Sequence, residues 1–475
     1  MAEFALTVNL VLEDEEKTMS VPCLNITTAE DVCMHVCKYL NITTIARHLF
    51  ALRITGEQLF LMPSAIIKEE NVTTVDLRIR FKVASITKLK KIDVNAYNYY
   101  FQQARKDVLD NKIPDLVYDR FKEELVGLGI TDMFRVMLEK KISRETVEND
   151  YKKYIPKEIL KKHIFFIKKL IHTNLGRLSK SVTDASYVMA EYVKQLDLIA
   201  PEYLSEVYKA QIDQDGSLRN ILVKVSPSSN ITYCSESKRD EWKLICTIEE
   251  LGFISIRNNG AIEISRKNGI PFYLKFRKDD RDTRAFISLL DGYYRLTCKW
   301  TFNICKEVIT PSLKKLQQMK CHGPVGGEFS YAKLEDKRAN RTGCFIIRES
   351  ETNYNTYYID VCVKDSIKPK TYKVEKIKDE FIFNGDITRY KTIQQLIKAY
   401  SDPEGAIFLQ ECLPPSEYDL SQVLLCRSDS LVGDSIADTS QISELPSTPV
   451  CINFKDLQVY KEILTSDPPG LGVIQ

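Results

Sequence analysis

Arg348 lies in the run Gly343-Cys-Phe-Ile-Ile-Arg-Glu-Ser350, where strand alternation puts it on the same face as Cys344 and Ile346. A guanidinium on a packed face is costly to desolvate unless an anion receives it. Its planar fork suits a phosphate or a carboxylate, bound through two parallel hydrogen bonds. The anion can belong to a ligand or to an internal salt bridge, and a ligand is the expectation here. A second concentration of charge is basic. Residues 152–180 carry nine Lys or Arg against one acid, Glu158, interleaved with Ile164, Phe165, Phe166, Ile167, Leu170 and Ile171. Two readings stand for this run: a core helix whose Lys157, Lys161, Lys162, Lys168 and Lys169 form a solvated face, or a surface turned toward anionic lipid or a juxtamembrane peptide. Cys33-Met-His-Val-Cys37 puts its two cysteines on one helical face and His35 elsewhere, so it reads as core packing, and no metal site is expected. No Walker loop, His-Glu-x-x-His, Gly-x-Ser-x-Gly, His-Arg-Asp or Asp-Phe-Gly occurs. Neither catalysis by this chain nor a cofactor is therefore expected.

At 475 residues the chain is long enough for three or four domains. Its 67 basic and 65 acidic residues nearly cancel, which gives no global pull toward nucleic acid. Thirteen cysteines without Cys-x-x-Cys pairs suit reduced thiols, and the N-terminus lacks the pattern of a signal peptide, so a cytoplasmic location is expected. Phe4, Leu6, Val8 and Leu10 alternate as one strand and Val75, Leu77, Ile79 and Phe81 as another, with a helix over 28–40 between them, the order of a ubiquitin-like roll at 1–84. Helical periodicity then runs through 85–212: a helix ended by Pro114, a helix or helix pair over 115–139, one begun by Pro156, and two more over 182–207 around Pro201. Short strands separated by turn signals fill 213–304 and close with an amphipathic helix carrying Phe286, Leu289, Leu290 and Tyr293, which predicts a pleckstrin-homology-like sandwich. A joint at 305–321 leads to a helix, central strands and a second helix over 322–413, the order of an SH2-like domain. From 414 to 475 the Ser, Asp and Thr content predicts a disordered linker, in which the apolar island at 423–427 reads as incidental and 454–460 as the lead-in to a further domain. The fold class is thus multidomain α+β.

A ubiquitin-like roll, a helical bundle and a pleckstrin-like lobe in that order resemble the three-lobed FERM domain, as do Tyr99-Tyr-Phe-Gln-Gln-Ala-Arg105 and the stretch 289–296. Asp291-Gly-Tyr-Tyr-Arg295, Cys305-Lys-Glu-Val308 and Cys321-His-Gly-Pro324 resemble the Janus-type tyrosine kinases, in which a FERM domain runs directly into an SH2 domain. The resemblance implies a non-catalytic receptor-docking module whose partner is the cytoplasmic tail of a transmembrane cytokine-type receptor in JAK-STAT signalling. It implies a location peripheral to the inner face of the plasma membrane or an endomembrane. An anionic membrane surface as a further partner follows only from the lipid-facing reading of the basic run, and no nucleic-acid partner is expected from the charge balance. The longer parent would be an ATP-dependent protein tyrosine kinase, with a pseudokinase and a kinase region following residue 475. The alternative is a FERM-type adaptor between membrane and cytoskeleton.

Arg348, Ser350 and Lys373 match the SH2 pocket that receives phosphotyrosine. Two positions depart from it: Glu328 stands where a basic residue of the first helix is usual, and Thr371 where the third strand usually has a histidine. One cation lost and one anion gained weaken a dianionic ligand by about a few kcal/mol if the groups are close, which favours a glutamate or another singly charged ligand.

Overall fold

The computed structural model describes residues 4–426 apart from 14–15, 71, 181–182, 215–216, 229, 277–279, 365, 417 and 420–424. The expectations for 427–475, the lead-in at 454–460 among them, lie outside the described residues. The chain divides into two compact units, one holding residues 4–97 and 206–426 and the other residues 98–205.

The first unit opens with β1 (Phe4–Val11) and β2 (Glu16–Cys23), followed by α1 (Ala29–Tyr39), a 3-10 turn (Ala46–Leu49), β3 (Phe50–Ile54) and β4 (Thr74–Ile79). The sheet runs β2-β1-β4-β3, with β4 parallel to β1. Alternation buries Leu6, Val8 and Leu10, and α1, packed on β2 and β3, buries Val32, Val36 and Cys37. Thr28 caps α1 reciprocally with Asp31. Cys33 and Cys37 are buried while His35 is exposed, and none of the described cysteines is in a disulfide. After α2 (Ile86–Ile92), α3 (Val94–Leu109) leads into the second unit, a bundle completed by α4 (Lys122–Lys140), α5 (Arg144–Asn149), α6 (Lys157–Leu178) and α7 (Ala185–Ile199). Phe101 meets Tyr192 edge-on in its core, at a centroid distance of 5.2 Å. Buried beside them, Asp132 accepts from Arg105 Nε at 2.5 Å and Arg135 Nε at 2.8 Å. The two guanidiniums hold the Asp132 carboxyl below its ordinary range against the upward push of burial.

Only one helix forms where two were expected around Pro201. After α7, β5 (Glu206–Gln214) returns the chain to the first unit. Tyr208, Ala210 and Ile212 point inward and Val207, Lys209 and Gln211 outward, a period of two that a helix cannot use. With β6 (Ser217–Val225), β7 (Asn230–Ser235), β8 (Lys238–Thr247), β9 (Leu251–Ile256), β10 (Ile262–Arg266) and β11 (Phe272–Phe276), it forms a sheet ordered β8-β7-β6-β5-β11-β10-β9. The closing helix α8 (Asp280–Thr297) is buried on nearly every side from Ala285 onward, not along one stripe. The reason is a second neighbour: a Cβ on Gly292 would lie 2.2 Å from Phe81 Cζ, and Tyr293 stacks edge-on against Phe81 at 5.1 Å. Arg80, 2% exposed, seals this contact through both Glu206 oxygens at 2.7 and 2.9 Å, Ser288 Oγ and the Ala285 carbonyl.

Past the joint come α9 (Pro311–Gln318), β12 (Cys321–His322), α10 (Gly327–Arg338), β13 (Cys344–Glu349), β14 (Thr356–Val361), β15 (Lys370–Ile377), β16 (Glu380–Phe383), β17 (Arg389–Tyr390), α11 (Ile393–Ala399) and β18 (Glu411–Cys412). The sheet is ordered β12-β13-β14-β15-β16-β17, with β18 also beside β13. Phe345, Ile347, Ile359, Val374 and Leu396 pack on its α11 side, and Leu334, Cys344, Ile346 and Cys362 on its α10 side. The island at 423–427 is not incidental where it is described. Leu425 and Cys426 are buried, with Ala84 N donating to the Leu425 carbonyl at 3.0 Å and Cys426 N to the Leu296 carbonyl at 3.1 Å. The chain beyond the SH2-like domain thus returns to the seam between the ubiquitin-like lobe and α8.

Candidate functional site

Strand register assembles the arginine pocket. Arg348 pairs with Tyr358 and Tyr358 with Lys373, while one step along Ile346 pairs with Asp360 and Asp360 with Thr371. All six therefore project from the α10 side of the sheet. Arg348 has an internal partner, the salt-bridge alternative of the sequence reading. Its Nε donates to Asp360 Oδ2 at 2.7 Å, Nη1 to the Val325 carbonyl at 3.3 Å, and its carbon centre lies 4.6 Å from the Tyr358 ring. The Asp360 side chain is fully buried and that of Arg348 is 9% exposed, so the pair is screened little by solvent. Asp360 Oδ1 accepts from Thr371 Oγ1 at 2.5 Å, and Thr371 Oγ1 shares a hydrogen bond with Tyr331 Oη of α10 at 3.0 Å.

The other residues assigned to the pocket fall differently. Ser350 is buried: its Oγ accepts from the backbone N–H of Thr352 and Asn353, and its carbonyl accepts from Thr44 Oγ1. It caps a turn, and its carbonyl joins two domains. Lys373 is half-exposed and pairs with Glu375 at 2.8 Å, a bond that raises its ammonium pKa. Glu328 is exposed on the first turn of α10. Of the two departures, Thr371 enters the pocket as the second anchor of Asp360.

The segment after β13 docks on the ubiquitin-like lobe. Arg47, 5% exposed, reaches Glu30 Oε1 at 3.4 Å and Glu349 Oε1 at 3.6 Å, and Glu30 Oε2 also accepts from Ser312 N at 2.8 Å. Burial raises the Glu349 carboxyl pKa and Arg47 only partly opposes this. Ile45 N donates to the Glu351 carbonyl at 3.2 Å, and the Lys38 ammonium sits 5.0 Å from the Tyr354 ring. No local sequence pattern announced Arg47, because its partners lie 17 positions before it and more than 300 after.

In the bundle Lys157, Lys161, Lys162, Lys168 and Lys169 are all exposed, while Ile159, Ile167, Ile171 and Leu175 are buried on the inner side of α6. Lys162 pairs with Asp119 at 2.6 Å, and Lys168 lies 5.8 Å from the Tyr151 ring. The solvated-face reading describes this geometry, which leaves the lipid reading open. Among the described residues no helix is long and apolar enough to cross a membrane, and no group of His, Cys, Asp and Glu is arranged to hold a metal ion.

Residues 6–88 match the FERM F1 ubiquitin-like domain and residues 319–415 the SH2 domain. The chain is 22% identical over 488 residues to tyrosine-protein kinase hopscotch of Drosophila melanogaster, a match covering 83% of this chain and 40% of that protein. It is 24% identical over 447 residues to tyrosine-protein kinase JAK3 of Rattus norvegicus, covering 84% and 40%. Tyrosine-protein kinase JAK1 of Danio rerio is 21% identical over 509 residues, covering 85% and 44%. The chain thus spans about two fifths of the length of these relatives. Among solved structures, the FERM and C-terminal domain complex of Drosophila Merlin aligns at 13% identity with a TM-score of 0.45, covering 62% of this chain and 95% of that one. The MyTH4-FERM MF2 domain of Dictyostelium discoideum myosin VII aligns at 12% and 0.45, covering 62% and 58%.

Proposed function

We propose that this chain, which has the FERM–SH2 architecture of the N-terminal part of Janus-type tyrosine kinases, is a non-catalytic module that docks on the juxtamembrane cytoplasmic tail of a cytokine-type receptor. Kinase activity, on this reading, belongs to the longer parent, and the module positions that activity beside the receptor. The observation that carries the reading is the junction: the ubiquitin-like lobe, the pleckstrin-like lobe and the SH2 domain are joined by the buried ion pairs of Arg47 and Arg80 and by the returning Leu425 and Cys426. Domains fused in this way act on a partner as one body. A tail that contacts the FERM part with its membrane-proximal segment and the SH2 part with a more distal one gains roughly 10² to 10⁴ in avidity over either contact.

The exposed lysines of α6 support a location against an anionic membrane, since each basic residue near such a surface is worth about 1 kcal/mol. Titrating the full chain against labelled juxtamembrane tails of cytokine-type receptors tests the proposal. Saturable one-to-one binding to a subset of tails is expected, and failure to bind any of them would favour the membrane-to-cytoskeleton adaptor.

A further inference from the structure

Three tyrosines among the described residues are exposed: Tyr39 at 50%, Tyr273 at 48% and Tyr418 at 85%. Tyr39 closes α1 and Tyr273 is paired within β11, so an enzyme that needs free backbone around the phenol would have to unravel a helix or a sheet to use them. Tyr418 instead stands at the third position of a turn over 416–419. Asp419 N donates to the Ser416 carbonyl at 3.1 Å, Ser416 N to Asp419 Oδ2 at 2.8 Å, and Tyr418 N to Ser416 Oγ at 3.2 Å. Exposed turns held by so few bonds open locally at small cost. The run Ser416-Glu-Tyr-Asp419 also sets the phenol between two acids.

Pro414, Pro415, Ser416 and Asp419 also line a cleft of about 330 Å³, to which the joint adds Lys299 and Lys320. Among the described residues lining it the one acid is Asp419, and its carboxylate is taken by Lys333 of α10 at 2.7 Å. Two ammonium groups therefore line the cleft beyond the Asp419–Lys333 pair. We propose that Tyr418 is a phosphorylation site for a protein tyrosine kinase, and that its phosphate is received in this cleft by Lys320 with Lys299 beside it. The kinase transfers the γ-phosphoryl group of ATP to Tyr418 Oη. The Oη–P bond forms as the bond from Pγ to the ADP oxygen breaks, ADP leaves with the electron pair, and the phenolic proton passes to the kinase's carboxylate base. The product carries about −1.5 to −2 charges at pH 7. Beside Asp419 such a group is repelled, and the ammonium groups of the cleft relieve that repulsion with charge-assisted bonds. Held there, the phosphate fixes the path by which the chain leaves β18 for Leu425 and Cys426 at the lobe seam. This inference does not depend on receptor docking.

The full chain is incubated with MgATP and the catalytic domain of a Janus-type tyrosine kinase, in parallel with a Src-type one, and each tyrosine within 4–426 is followed by mass spectrometry. At least one of the two enzymes should label Tyr418 first, roughly tenfold faster than Tyr39 or Tyr273, because local opening there is cheaper. Tyr418→Phe should leave the slower sites unchanged. No label at Tyr418 with either enzyme, or another tyrosine within 4–426 labelled faster by both, would overturn the assignment. The receiving cleft is read with a tyrosine phosphatase. Phosphate should leave the full chain about tenfold more slowly than it leaves a phosphopeptide of residues 412–424, as one or two charge-assisted bonds allow. Replacing both cleft lysines, Lys299→Ala and Lys320→Ala, should restore most of the peptide's rate. Equal rates on chain and peptide, or a double variant as protected as wild type, would overturn the role of the cleft.

Discussion

Replacing Arg47 by methionine should cost about 3–5 kcal/mol of unfolding free energy, the range for removing one partner of a buried ion pair. Arg47 is 5% exposed and lies between Glu30 and Glu349, whose side chains are 10% and 11% exposed. Glu349 Oε2 already lacks a hydrogen bond. Without the guanidinium two carboxylates would face each other across a largely buried interface, and Glu349 would lose the one cation that opposes the effect of its burial. Urea unfolding followed by tryptophan fluorescence is a suitable assay, because Trp300 is buried at this joint, 4.9 Å from the His48 ring and against Gly323. Adding Glu349→Gln to Arg47→Met should return about half of the loss or more, a coupling that separates the pair from general disturbance of the site. The loss should also shrink toward pH 5, as the stranded carboxylates take up protons. A single variant within about 0.5 kcal/mol of wild type would mean that the junction is held by packing alone.

Gly292→Ala drives a methyl group into the ring of Phe81, 2.2 Å away, and should cost at least about 1–3 kcal/mol, with Phe81→Leu in the same chain recovering part of it; calorimetric melting of the two variants checks both. His322 is buried with Nε2 against the Leu413 carbonyl at 3.1 Å, and burial followed by the neighbouring Lys333 holds its pKa down to about 4. Its folded value lies below its unfolded one, so the stability it contributes is present above about pH 6.5 and is lost as pH falls toward 4. His322→Gln should therefore flatten the pH dependence of stability by about 2 kcal/mol between pH 7.5 and 5, and parallel urea curves would contradict the assignment. Limited proteolysis should cut first within 428–447, where large apolar residues are few, and leave a resistant product that retains Leu425 and Cys426; a first cut within 298–321 would show that the joint opens.

The face on which Arg348 lies was legible from its parity with Cys344 and Ile346, but its partner was not, because Asp360 arrives through the register of a neighbouring strand. The signal was present all the same: Asp360 shares parity with Tyr358 and Cys362, and a carboxylate on an inward strand face requires a cation. The turn that Ser350 caps was not legible, because a serine after a strand serves a ligand or a turn equally well. The elements most clearly read were those with long apolar periods, such as β1, α1 and α8. What local pattern hides is the second neighbour, and that accounts for the burial of α8 against Phe81, the role of Arg47 and the docking of Leu425 and Cys426. The strand β5 was lost to Pro201, which reads as a helix start, although Tyr208, Ala210 and Ile212 alternate.

The central claim is that this chain docks on a receptor tail in a manner indifferent to tyrosine phosphorylation. It is tested most directly by titrating the full chain with one receptor-tail peptide in two forms, identical except for a phosphate on its tyrosine. The account predicts affinities within about threefold of each other, a difference under about 0.7 kcal/mol. A phosphopeptide bound roughly 100-fold tighter, worth about 2.7 kcal/mol, would contradict it.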